Sequence, residues 1–307
     1  MQHLITLKDW SSADILAVVE AGSRLKKSPG DYADALSGQT LALLFQKTST
    51  RTRCASEVGM TQLGGHALYL DWRATNFGLA DMGDEIRVLS RYADFIVARL
   101  LKNADIVRAA AYADVPVMNG CCDRYHPLQG LTDMQTLYER FGRLEGLHLT
   151  YVGVYNNVCN SLIAAGLKVG MDITVVAPET NPAAEDVELR REAEEAGRLR
   201  VTDDLREALK TSDAVYTDTW IDMEYFLDPT FAEEKERRLR LFRPYQLNKA
   251  LLEGLDDLCV MHCLPAHRGY EIDGELIDDP RTIVFDQAEN RLHSQKAVLL
   301  HLAGKLD

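Results

Sequence analysis

Apolar positions along the chain alternate between helical and strand spacing from the start. Ile15, Leu16, Val19 and Leu25 recur at helical intervals behind Ser11 or Ser12, either of which can cap a helix ending near Lys27. The pattern then predicts a strand over 40–45, a helix over 50–63 stopped by Gly64-Gly65, a strand over 67–70, a helix over 86–92 and a strand over 95–99. A second series follows a long helix expected to start near Thr132: strands over 149–152, 172–176, 200–201 and 214–217, separated by helices over 158–167, 184–196 and 205–210. A third run predicts strands over 258–263 and 282–285 and a closing helix over 289–302.

Apolar strands between amphipathic helices specify an α/β chain: two doubly wound domains, each a parallel β-sheet flanked by helices. No internal repeat of about 20–50 residues is present. The boundary is expected inside the helix over 132–143, so that helices join the domains: 1–135 plus 290–307 in one and 136–289 in the other. A length of 307 residues fits two domains with cores of their own.

Charge narrows the partners. Against 34 Lys and Arg stand 47 Asp and Glu, a net charge of −13. A polyanion meets repulsion over most of such a surface, so nucleic acid is not expected. A small anion can still be held where a few Arg gather. The N-terminal stretch carries Lys8, Asp9, Asp14 and Glu20 among its apolar residues, so neither a signal-peptide core nor a membrane span is expected. Six cysteines without a CxxC pair read as reduced thiols of a cytoplasmic protein.

In open α/β sheets ligands bind beyond the carboxyl ends of strands, which singles out four segments. The first is Phe45-Gln46-Lys47-Thr48-Ser49-Thr50-Arg51-Thr52-Arg53, running from a strand into a helix. Hydroxyls, first-turn N–H groups and Arg51 there suit a phosphate, although ordinary capping beside solvated Arg explains the same residues. The GxxxxGK pattern of a nucleotide loop is absent. The second is Arg99, at a strand end. The third is His126-Pro127-Leu128-Gln129, where His126 and Gln129 can face one ligand from a helix start. The fourth is His262-Cys263-Leu264-Pro265-Ala266-His267. A zinc reading there lacks CxxC and HExxH spacing, a nucleophilic Cys263 needs a neighbouring base, and His262 is expected on the opposite face of its strand. No metal and no cofactor are expected.

Together with Asn156-Asn157, Asp218-Thr219-Trp220 and Glu289-Asn290-Arg291, these segments resemble the carbamoyltransferases, and the ornithine-using branch more than the aspartate-using one. The resemblance runs over essentially the whole chain. It implies that Ser49, Thr50, Arg51 and Thr52 hold the phosphate of carbamoyl phosphate and that Arg99, His126 and Gln129 hold its carbamoyl end. It also implies that Cys263, Leu264 and Arg291 line the reacting centre, and that Arg51, Arg99, His126 and Cys263 carry the chemistry. Asn76 falls where the family supplies a residue from a neighbouring subunit, implying a homotrimer or a multiple of it. Asn157, Asp218, Asp222 and Met223 fall on the acceptor side, where L-ornithine would bind.

The acceptor side departs from the family pattern. Ornithine enzymes read Ser-Met-Gly where this chain reads Asp222-Met223-Glu224, and Val154-Tyr155 replaces Asp-Gly before the Asn pair. A carboxylate facing the acceptor would repel an α-carboxylate or favour a second cationic group, so putrescine, lysine or a modified ornithine are alternatives. A non-catalytic binding subunit of the same fold is the alternative of another class. A nicotinamide oxidoreductase would need a GxGxxG turn after the strand at Leu149, where the chain reads Gly153-Val154-Tyr155-Asn156-Asn157.

Overall fold

The computed structural model describes residues 1–221 and 225–306. After α1 (Ser12–Lys27) the chain lays down β1 (Thr40–Phe45), α2 (Thr50–Gln62), β2 (His66–Asp71), α3 (Met82–Leu89), β3 (Phe95–Arg99), α4 (Asn103–Tyr112) and β4 (Val117–Asn119). These strands form a parallel sheet in the order β2-β1-β3-β4. Helix α5 (Pro127–Phe141) leads to the second domain: β5 (His148–Tyr155), α6 (Asn157–Val169), β6 (Asp172–Thr180), α7 (Val187–Glu195), β7 (Leu199–Val201), α8 (Leu205–Leu209), β8 (Ala214–Thr217), α9 (Ala232–Phe242), β9 (Cys259–His262) and α10 (Gly274–Ile277). Its five strands are parallel in the order β7-β6-β5-β8-β9. Helix α11 (Val284–Leu302) then packs against α1, α2 and α5.

Local chemistry accounts for these elements. The Ser11 hydroxyl accepts from the Asp14 backbone N–H at 3.1 Å, and the Asp14 carboxylate accepts from the Ser11 N–H at 3.2 Å, closing a capping box on α1. Central strands such as β1 are near-continuous apolar runs because helices cover both faces. One buried apolar cluster runs from Leu41–Phe45 and Phe95–Ala98 in the first sheet to Leu149, Ile173 and Tyr216 in the second, through Leu128, Leu131 and Met134 of α5.

The structure corrects several sequence expectations. Residues 282–285 are not a strand: Thr282 makes only an isolated bridge to Val260, and Val284 already begins α11. Adjacent β-branched residues, Ile283 and Val284, imitate a strand there. Helix α5 starts at Pro127, not near Thr132, because Pro at the first helical position has a fixed φ suited to that place. No helix among the described residues is long and apolar enough to cross a membrane.

Candidate active site

The carboxyl ends of β1, β3, β5, β8 and β9 open on one cleft of about 220 Å³ between the sheets. Ser49, Arg51, Thr52, Arg99, His126, Gln129, Asn157, Asp218, Cys263, Leu264 and Arg291 all line it. Thr50 is exposed and outside this lining, and Asn76 lies in a separate surface groove with Phe77, Val88 and Tyr92. Asp222 and Met223 lie outside the described residues.

At the mouth of α2, Ser49 is the N-cap, and its hydroxyl accepts from the Thr52 N–H at 3.3 Å. The free N–H groups of that first turn and the positive end of the helix dipole face the cleft. Arg51, half-buried, donates to the carbonyl oxygen of Leu264. Arg99 ends β3 and donates to the Gly120 carbonyl at 3.1 Å, while its Nε has no hydrogen-bond partner. Buried Arg291, on α11, donates to Gln129 Oε1, to Thr52 Oγ1 at 3.0 Å and to His126 Nε2 at 3.3 Å. Burial, then Arg99 and Arg51, pushes the Arg291 guanidinium down to about 10. Burial is also the first cause lowering Arg51, with Arg99 adding to it against the opposing pull of Cys263 and Asp218. Three guanidiniums gathered on one cleft suit an anion.

His126 is held well below the usual imidazole range by burial, then by Arg291, Arg99, Lys47 and Arg51, so the ring is neutral. A guanidinium only donates, so Nε2 facing Arg291 is the acceptor and the proton sits on Nδ1. That Nδ1 is buried without a partner, so its N–H is unspent within the protein. Its backbone N–H is fixed by Ser161 Oγ at 2.8 Å.

Across the cleft, Asn156 caps α6, accepting from the N–H groups of Val158 and Cys159 at 2.9 and 3.1 Å, and donates to Asp218 Oδ2 at 2.7 Å. Asn157 donates to the Cys122 carbonyl at 2.6 Å. The Cys263 thiol donates to Asp218 Oδ1 at 3.0 Å, and burial, then the Asp218 charge, raises it well above the usual thiol range. It is a thiol here, not a thiolate nucleophile. Asp218, His262 and Cys263 place donor atoms within 4.8 Å of one another, as a metal ion would need. Those atoms are engaged within the protein: His262 Nε2 lies 3.2 Å from Glu271 Oε1, and His262 Nδ1 accepts from the Leu264 N–H at 2.8 Å.

Sequence reasoning gave no role to Cys121, Val158 or Thr219 in the lining and missed, behind it, Asp133, Gln287 and Glu271, all three buried. Only Asp133 had a signal, four residues after Gln129 on one helix face.

Two family descriptions match the chain: "Aspartate/ornithine carbamoyltransferase, carbamoyl-P binding domain" over residues 2–139 and "Aspartate/ornithine carbamoyltransferase, Asp/Orn binding domain" over 145–302. The chain is 43% identical to an ornithine carbamoyltransferase of Archaeoglobus fulgidus, covering 99% of this chain and 98% of that protein. It is also 43% identical to an anabolic ornithine carbamoyltransferase of Pseudomonas aeruginosa, covering 97% and 96% respectively. The solved ornithine carbamoyltransferase of Pyrococcus furiosus superposes with a TM-score of 0.89 at 40% identity, covering 100% of this chain and 98% of that one.

Proposed function

The chain belongs to the aspartate/ornithine carbamoyltransferase family, and we propose that it transfers the carbamoyl group of carbamoyl phosphate to the side-chain amine of L-ornithine, giving L-citrulline and phosphate. The observation that carries this reading is the cluster of Arg51, Arg99 and Arg291 at the mouth of α2, beside the unpartnered Nδ1 of a neutral His126.

The neutral amine attacks the carbonyl carbon, a C–N bond forms, and the carbonyl oxygen becomes an oxyanion. Collapse breaks the bond to the phosphate oxygen, and the amine releases a proton. The nucleophile and leaving group both belong to substrates, so the protein aligns them and stabilises charge. Alignment alone can supply about 7–11 kcal/mol of the barrier. Ser49, Thr50, Arg51 and Thr52 hold the phosphate in this reading, Thr50 through its backbone. Arg99, His126 and Thr52 donate to the oxyanion, Gln129 holds the amide end, and Arg291, Cys263 and Leu264 line the carbon under attack. Asn157, Asp218, Asp222 and Met223 hold the acceptor. No cofactor enters this chemistry.

The same reading assigns 1–135 plus 290–307 to the carbamoyl phosphate domain and 136–289 to the acceptor domain, supported by the packing of α11 on α1 and α2. It makes the protein a cytoplasmic homotrimer serving arginine biosynthesis, with Asn76 reaching a neighbour's cleft. Exposed Leu79, Val88 and Tyr92 near Asn76 support the contact, and six free cysteines support a reducing compartment. The test is product formation with ornithine, putrescine and lysine in parallel. Citrulline from ornithine with stoichiometric phosphate is expected; turnover of putrescine with none of ornithine refutes the acceptor.

A further inference from the structure

Behind the cleft lies a buried polar chain whose members have forced orientations. The backbone N–H of His262, on β9, donates to Gln287 Oε1 at 3.0 Å. Gln287 is therefore oriented with its amide nitrogen outward, and Nε2 donates to Asp133 Oδ1 at 2.7 Å. The same Oδ1 accepts from Gln129 Nε2 at 2.8 Å, and Gln129 Oε1 accepts from Arg291. A carboxylate oxygen accepts and a guanidinium only donates, so an amide held between them has one way round. Asp133 is fully buried on α5, and Gln129 and Gln287 are nearly so, which removes water as a competing partner.

This geometry matters for what Gln129 offers a ligand. With Nε2 turned to Asp133, the carbonyl oxygen lies on the side of Arg291, which lines the cleft, and keeps a lone pair beyond the one given to Arg291. Such an oxygen attracts an NH2 group and gains nothing from a methyl group in the same place.

We propose that Asp133 is a positioning residue that pins the Gln129 amide with its oxygen toward the cleft, and so makes the site select a carbamoyl donor over an acyl phosphate carrying methyl in place of NH2. This rests on the carbamoyl phosphate reading of the site. Asp133 touches no substrate; it acts through Gln129. Its place at the junction of α5, α11 and β9 also ties the donor pocket to the strand that Cys263 and Leu264 follow.

The test compares carbamoyl phosphate, acetyl phosphate and inorganic phosphate by calorimetry on the wild-type protein, Asp133→Leu and Asp133→Asn. The wild type is expected to bind carbamoyl phosphate at least about 10-fold more tightly than acetyl phosphate, as one hydrogen-bonded group supports. In Asp133→Leu, which keeps the branched shape but offers no acceptor, that ratio is expected to fall toward about 1, with inorganic phosphate bound within about 3-fold of wild type. In Asp133→Asn the Oδ1 still accepts from both amides, so the ratio is expected to be retained. A wild type without the preference, a Leu variant that keeps it, or an Asn variant that loses as much as Leu overturns the proposal. Failure of the wild type to bind any of the three overturns the underlying donor reading instead.

Discussion

Arg51 and Leu264 stand 213 residues apart in the chain and are joined by a hydrogen bond from the guanidinium to the carbonyl oxygen. The first belongs to the helix mouth of one sheet and the second follows the last strand of the other, so the two halves of the cleft touch at its mouth. Leu264 has a φ of +57°, a left-handed conformation that a branched side chain rarely adopts. The Leu264 N–H is held in turn by His262, whose other ring nitrogen meets buried Glu271.

Removing Arg51 tests the phosphate end directly. Hydrogen bonds to charged groups contribute about 1.5–3 kcal/mol, so Arg51→Ala is expected to weaken carbamoyl phosphate by about 10- to 100-fold. The variant remains folded, since Arg51 is only half-buried. Calorimetry with a circular-dichroism melt checks both halves of the statement.

In the proposed reaction His126 donates as a neutral ring through Nδ1–H. His126→Ala is expected to lower kcat by about 10²–10³-fold, the usual effect of losing one oxyanion donor. Because burial and the surrounding guanidiniums hold its pKa well below the usual range, the rate shows no inflection from this ring between about pH 6 and 8. Steady-state kinetics across that range, with rapid-quench measurement of the transfer step, provides the check.

The Asp133 carboxyl titrates in the opposite sense. Burial pushes it up to about 7, against the pull of Gln129 and Gln287 and of the Arg291 charge; Tyr216 faces it from β8. The folded protein therefore holds a proton there that the unfolded chain has lost, and this contribution falls as pH rises from about 4 to about 7, by at most about 1.4 kcal/mol per pH unit. His126 contributes oppositely, with stability lost as pH falls below about 6.5. Urea titrations of wild type and Asp133→Asn at pH 5 and 8 isolate the carboxyl: the stability of the Asn variant relative to wild type is expected to be greater at pH 8.

Close packing supports the same residues. A Cβ at Gly130 would lie 2.9 Å from Leu7 Cδ1 and 3.2 Å from the Ser161 carbonyl oxygen. Gly130→Ala is expected to destabilise the protein by about 1–3 kcal/mol by overpacking α5 against α6. It is also expected to raise the KM for carbamoyl phosphate, because Gln129 precedes it and Ser161 holds His126. Denaturant unfolding and initial rates measure the two effects.

The gathering of Ser49, Arg51, Thr52, Arg99, His126 and Gln129 on one cleft was legible in the sequence because they follow strands and open helices, whereas Thr50 and Asn76 lie outside its lining. The elements that pattern reading lost were short or thinly buried. In α4 only Ile106 and Ala109 are buried, and β4 spans Val117–Asn119. Asp133, Gln287 and Glu271 escaped for another reason: hydrophobic periodicity assigns polar residues to the surface, whereas these are buried with partners of their own, Asp133 with Gln129 and with Gln287 from α11, and Glu271 with His262. On the acceptor side Asn157 and Asp218 line the cleft, and Asp222 and Met223 lie outside the described residues.

The packing of α11 against α1 and α2 imposes an order on biosynthesis. On a ribosome the first sheet emerges early, yet the helix that covers α1 and supplies Arg291 is translated after every strand of the second sheet. The faces of α1 and α2 that α11 covers therefore leave the ribosome before their cover exists, and Arg291 can join the cleft only once the carboxyl-terminal helix has been made.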